Sequence, residues 1–151
     1  MDAYSEILAH TQRYCSDLNR VLEARRPGDG LFGLGNDPRN HPCHTTFYEA
    51  VANTLTQAQS LALSEAETDK IVALVLHLDE EHGALPEMAR LMLQAVQGLV
   101  LPLIPRVSVG CAAELSDWYA RAYPRQSRLP NQSKVLRALN RRAGLGLLHR
   151  R

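Results

Sequence analysis

DAYSEILAHTQRYCSDLNRVLEAR, residues 2–25, decides how the chain is read. Tyr4, Ile7, Leu8, Thr11, Tyr14, Cys15, Leu18, Val21 and Leu22 recur at spacings of three and four. That period places them on one stripe of an α-helix, with Glu6, Arg13, Asp17, Arg20 and Glu23 on the remaining surface. Pro27 and Gly28 end the pattern.

The same period continues along the chain. Pro42 suits the first position of a second helix, because its missing N–H would have had no partner there. Phe47, Tyr48, Val51, Leu55, Ala58 and Ala62 form its apolar side. Ser64-Glu65-Ala66-Glu67 has the form of a capping box, in which Ser64 accepts from the Glu67 N–H and the Glu67 carboxylate reaches back. The third helix then carries Ile71, Leu74, Val75 and Leu78 inward, with Gly83 as its terminator. Pro86 opens a fourth helix, to about Leu101. It is apolar around so much of its circumference that it is expected at the centre. Ser108 caps a fifth helix, ending near Tyr123. A sixth runs from Gln132 to Ala143, capped by Asn131 and closed by Gly144. No segment alternates convincingly with period two. LPLIPRVSV is interrupted by prolines, which a central strand does not tolerate.

The expected architecture is therefore all-α: one compact domain spanning residues 1–151, of five or six helices packed as antiparallel helical hairpins. A long Gly/Pro-rich loop, 26–41, follows the first helix, and 144–151 reads as a short tail. With 151 residues and 45% hydrophobic content, the chain is large enough to bury a core without covalent staples.

Composition narrows the function classes. The start, MDAYSEILAH, has two acids and no basic cluster, unlike a targeting peptide. The longest apolar run, Leu91 to Ile104, is broken by Gln94, Gln97, Gly98 and Pro102 and falls short of the roughly 18 residues needed to cross a bilayer. Three cysteines are too few, and odd in number, for a disulfide framework. A cytoplasmic protein with reduced thiols and no membrane partner is the expectation. Net charge is only +1, yet residues 1–105 carry 7 Lys and Arg against 14 Asp and Glu, and residues 106–151 carry 10 against 2. A near-neutral total hides two halves of opposite sign.

GNDPRNHPCHTTFYEAV, residues 35–51, is the densest group of reactive side chains. Cys43 and His44 would occupy the first turn of the second helix, where free N–H groups and the dipole favour a thiolate. His41, Cys43 and His44 are also candidate zinc ligands, with Asp37 as a possible oxygen donor. No cofactor is predicted, and zinc is the one metal to consider. Paired Cys-x-x-Cys knuckles are absent, and adjacent residues on a helix diverge by about 100°. The competing reading makes Cys43 and His44 core residues, one helical turn before Phe47 and Tyr48, with His41 or Asn40 as a cap.

Other motifs weaken on inspection. Gly28-Asp29-Gly30-Leu31-Phe32-Gly33 matches GxGxxG but follows a helix, whereas a dinucleotide loop follows a strand. His77-Leu78-Asp79-Glu80-Glu81-His82 lacks the second Glu-x-x-His unit of a di-iron bundle and reads as a solvated helix end. Trp118, Tyr119 and Tyr123 are able to line a pocket, with core packing favoured for Trp118. Arg125, Arg128, Lys134, Arg137 and Arg141 make a basic surface on the last helices. It suits a protein partner or self-association better than nucleic acid, because no base-reading motif accompanies it. The leading expectation is a helical binding or adaptor protein without inferable catalysis. The alternative is a metal or reactive-thiol protein centred on His41-Pro42-Cys43-His44.

Overall fold

Amphipathic stripes of this kind can be buried only against one another, and in the computed structural model they are. It describes residues 2–26 and 37–144. The described residues form six α-helices and no strand: α1 Ala3–Glu23, α2 Cys43–Gln59, α3 Glu65–Glu81, α4 Glu87–Ala95, α5 Val109–Ala122 and α6 Pro130–Ala143. Most of the expected 26–41 loop, residues 27–36, and the tail beyond Gly144 lie outside the described residues. Helix α1 packs on α2, α3 on α4 and α5 on α6.

The helix ends follow local side-chain chemistry. Asp2 accepts from the Ser5 N–H at 2.8 Å, Ser64 from Glu67 at 3.1 Å and Ser108 from Cys111 at 3.1 Å. Each pairs an N–H that the first helical turn cannot satisfy by itself. The return half of the expected capping box differs: the Glu67 carboxylate accepts from the Ser64 hydroxyl at 3.1 Å instead of from the Ser64 N–H. Gly144 closes α6 with φ +76°, the left-handed conformation that costs glycine least. Gly83 follows α3 without a positive φ.

Two expected boundaries differ. Helix α4 stops at Ala95, and Val96–Val100 winds more tightly as a 3₁₀-helix. Pro102 has no N–H to donate to the Gly98 carbonyl, and its ring would crowd that carbonyl in an α-helix. Gly98 also lies where a Cβ would come within 3.3 Å of Asn131 Cβ. Helix α6 begins at Pro130. Gln132 Oε1 accepts from the Leu129 N–H at 2.9 Å, and Asn131 donates to the Gln94 carbonyl at 2.9 Å instead of capping.

The centre of the bundle is shared by α3 and the Val96–Val100 part of the expected fourth helix, which is buried against α2, α3 and α6. Val72, Val75, Leu76 and Leu78 are fully buried, and burial continues through Val96, Val100, Leu103, Ile104 and Val107. On α4 only Ala89 and Leu93 are buried, and Leu91 is 48% exposed. Being central, α3 contributes side chains to both large depressions described below.

Candidate functional site

Asp79 sits on the same stripe as Val72, Val75 and Leu76, so folding carries its carboxylate inward with them. Only 2% of the residue remains exposed. A buried carboxylate is tolerated when its oxygens are fully engaged, and here four donors converge on it. Arg90 donates through Nε to Oδ1 at 3.0 Å and through Nη2 to Oδ2 at 3.4 Å. Gln94 Nε2 donates to Oδ2 at 3.1 Å, and the Tyr123 hydroxyl donates to the same oxygen at 2.9 Å.

The network extends into the core. Gln97 Nε2 donates to the Tyr123 hydroxyl at 2.9 Å, while Gln97 Oε1 accepts from Tyr119 at 2.8 Å and from Gln132 at 3.1 Å. Gln97 and Gln132 are completely buried. Burial, first of all, pushes both the Tyr119 and Tyr123 phenols above their ordinary range. They remain protonated donors. The reading of Asp79 as part of a solvated helix end is thus corrected: Asp79 holds together α3, α4 and α5.

Above this floor opens a cleft of about 950 Å³ between α3, α4 and α5. Its walls combine Arg90, Arg121, Gln94 and Tyr123 with the carboxylates of Glu80 and Glu87 and with Leu85, Leu91, Leu129 and Trp118. Trp118 is half-buried, and its ring lies 3.9 Å from the His77 ring. It packs against the core with one side and lines the cleft with the other. Arg90 keeps 42% of its side chain exposed while two of its nitrogens are fixed on Asp79. At the rim, Glu80 pairs with His77 at 3.1 Å and Arg121 with Asp117 at 2.9 Å.

The stretch at 41–44 has another character. Cys43 and His44 are buried at the start of α2. His44 Nε2 lies 2.8 Å from the Pro38 carbonyl, which can only accept, and Nδ1 lies 2.7 Å from the Tyr14 hydroxyl. A neutral His44 therefore carries its proton on Nε2 and accepts from Tyr14. Both nitrogens are occupied by structure. His41 Nδ1 accepts from the Cys43 N–H at 3.0 Å, so this imidazole caps α2. Asp37 turns onto Arg39, whose Nη2 is 2.7 Å away, and Asp37 Oδ1 also accepts from the Arg39 N–H at 3.0 Å. Cys43 borders a space of only about 20 Å³, no more than one water's worth. Burial pushes its thiol upward, with the Asp17 carboxylate adding to the shift. Among the described residues no three His, Cys, Asp or Glu side chains are grouped to hold a metal ion.

The other two thiols are likewise raised. Burial is the largest cause for Cys15, and it takes Cys111, beside Asp69, to about 11. Asp69 also grips Ser108, at 2.7 Å through both its N–H and its hydroxyl, tying α3 to the start of α5.

The basic residues separate into two groups. Arg125, Lys134, Arg137 and Arg141 are exposed. Arg128 is half-buried and donates through Nε to the Tyr123 carbonyl at 3.0 Å, bracing the cleft. Among the described residues, no helix is long and apolar enough to cross a membrane. No family model matches the chain, and neither the curated proteins nor the solved structures contain a match.

Proposed function

We propose that this protein acts by binding rather than by catalysis, and that the cleft between α3, α4 and α5 receives a small organic anion with an apolar body. The observation that carries this reading is the state of Arg90. Its Nε and one terminal nitrogen are anchored on the buried Asp79 carboxylate, while the rest of the guanidinium stands in the cleft wall. A cation fixed in this way spends little conformational entropy on capturing an anion. Trp118, Leu85, Leu91 and Leu129 supply the apolar surface beside it. A concave site with apolar walls and a few convergent polar groups is the usual form of a ligand pocket. Binding is also favoured by the protonation of the nucleophile candidates: the thiols, the Tyr123 phenol in the cleft and the Tyr119 phenol buried beneath it are all held upward.

Trp118 is the single tryptophan of the chain, so it reports on the cleft directly. Anilinonaphthalene sulfonate is the probe, with neutral phenylnaphthylamine as its uncharged counterpart. The sulfonate is expected to accept energy from Trp118, with affinity falling about tenfold in Arg90→Gln, the order of one charge-assisted contact. Arg121→Gln, an exposed change safe for folding, lowers affinity less. Equal binding of the neutral body, or an unchanged affinity in Arg90→Gln, overturns the reading.

A further inference from the structure

A different side of α3 borders a groove of about 780 Å³ shared with α1 and the end of α2. Its α3 wall runs from Glu67 to Glu81, which is roughly 21 Å at 1.5 Å per residue. Ala3, Ala58 and Ala73 leave room for close approach, and Ile71 and Leu74 make the floor apolar. Tyr4 and Leu61, 39% and 55% exposed, stand at its edge. The Leu61 lip is held in place: Arg106 donates to the Gln59 and Leu61 carbonyls at 3.1 and 2.6 Å.

The charges around this apolar trough are one-sided. Among the described residues, Asp2, Glu6, Glu67 and Glu81 line it against one lysine, Lys70. We propose that the groove docks an amphipathic helix of a partner protein, with its apolar face on Ile71, Leu74 and Leu61 and its lysines or arginines against the acidic edge. The length, the small-residue floor and the sign of the rim all match that occupant. An anionic membrane surface or a nucleic acid would meet carboxylates here. Among the described residues, the protein's own exposed cations do not fill it either. Lys134, Arg137 and Arg141 lie on α6, and no large exposed apolar residue accompanies them among the described residues.

The proposal is independent of the cleft reading. Its probe is a labelled helical peptide of about fourteen residues, enough to span the groove, built from leucine and lysine at helical spacing. A matched peptide with glutamate in place of lysine is the control. Fluorescence anisotropy should show the lysine peptide binding and the glutamate peptide failing to bind. Glu6→Lys combined with Glu81→Lys should weaken binding at least about tenfold, and Leu61→Asp by a comparable factor, since a few central contacts dominate such docking. Glu23→Lys with Glu49→Lys makes the same charge change at exposed positions that do not line the groove and should leave binding within about twofold. No binding, or equal loss in both charge-reversed pairs, overturns the proposal. So does a concentration-dependent dimer that excludes the peptide and disappears in Leu61→Asp, which would make a second copy the occupant.

Discussion

The cleft and the groove share α3 as a wall, yet they are built on opposite principles. The cleft rests on a charged side chain sunk into the core and surrounded by donors: Asp79 with Arg90, Gln94 and Tyr123. The groove rests on aliphatic side chains, and its charges stand at the edge in water. In the cleft, polarity is part of what holds the fold together. In the groove, polarity governs what may approach. Solvent makes the difference, because the same carboxylate that costs little at a rim becomes costly when its partners are removed in the interior.

The largest expected effect follows from that contrast. Asp79→Ala leaves Arg90, Gln94 and Tyr123 without their common acceptor and should cost about 3 kcal/mol of stability, near the lower end for breaking a buried ion pair. Glu6→Ala at the groove should cost less than about 0.5 kcal/mol. Urea midpoints of the two variants decide the matter. Equal losses would mean that the Asp79 network decorates the fold instead of supporting it.

How far each region was legible in the sequence follows from the range of its interactions. The helices were readable because a period of three and four, a serine before an acidic turn and a glycine after the last turn are local facts. Ser64, Ser108 and Gly144 do in space what they announce in order. The dense cluster at 41–44 was equally visible, and its reading as core and cap agrees with the structure: Cys43 and His44 are buried, His44 spans Tyr14 and the Pro38 carbonyl, and His41 caps α2. The cleft was hidden because its partners come from distant segments, Asp79 and Tyr123 being 44 positions apart. A signal did exist. Asp79, Gln97 and Gln132 are polar residues on otherwise apolar faces, beside Val75, Val96 and Val135. A polar group at a core position demands partners, although order along the chain does not say which.

A smaller effect reports on the buried phenols and thiols through pH. Burial raises the Tyr119 and Tyr123 phenols and takes the Cys111 thiol to about 11. In the unfolded chain these groups ionise near their ordinary values, about 9 for the thiol and 10 for the phenols. Below those values both states are protonated and the stability is intact. Above them the unfolded chain releases protons first, so stability falls as pH rises. Each group contributes up to about 1.4 kcal/mol per pH unit. Urea unfolding between neutral and strongly alkaline pH should show this decline, and Tyr119→Phe with Tyr123→Phe should flatten it. An unchanged slope would place the alkaline sensitivity outside the cleft network.

The smallest expected change in stability makes the sharpest cut between the two sites. Leu91 stands at the cleft and Leu61 at the groove, 48% and 55% exposed. Little apolar surface is lost from the core when either becomes aspartate, so each variant should stay within about 0.5 kcal/mol of the parent in urea. Their binding should divide. Leu91→Asp removes an apolar wall and adds a further carboxylate to the cleft, beside Glu80 and Glu87, and should weaken the aromatic sulfonate while sparing the leucine–lysine peptide. Leu61→Asp removes an apolar anchor from the groove lip and should weaken the peptide while sparing the sulfonate. The crossed pattern cannot arise from general loosening of the bundle, which would weaken both ligands in both variants. If each variant impairs both ligands while stability holds, the two depressions act as one site joined through α3, and the tilted ring contact between His77 at the groove and Trp118 at the cleft is where that coupling would pass.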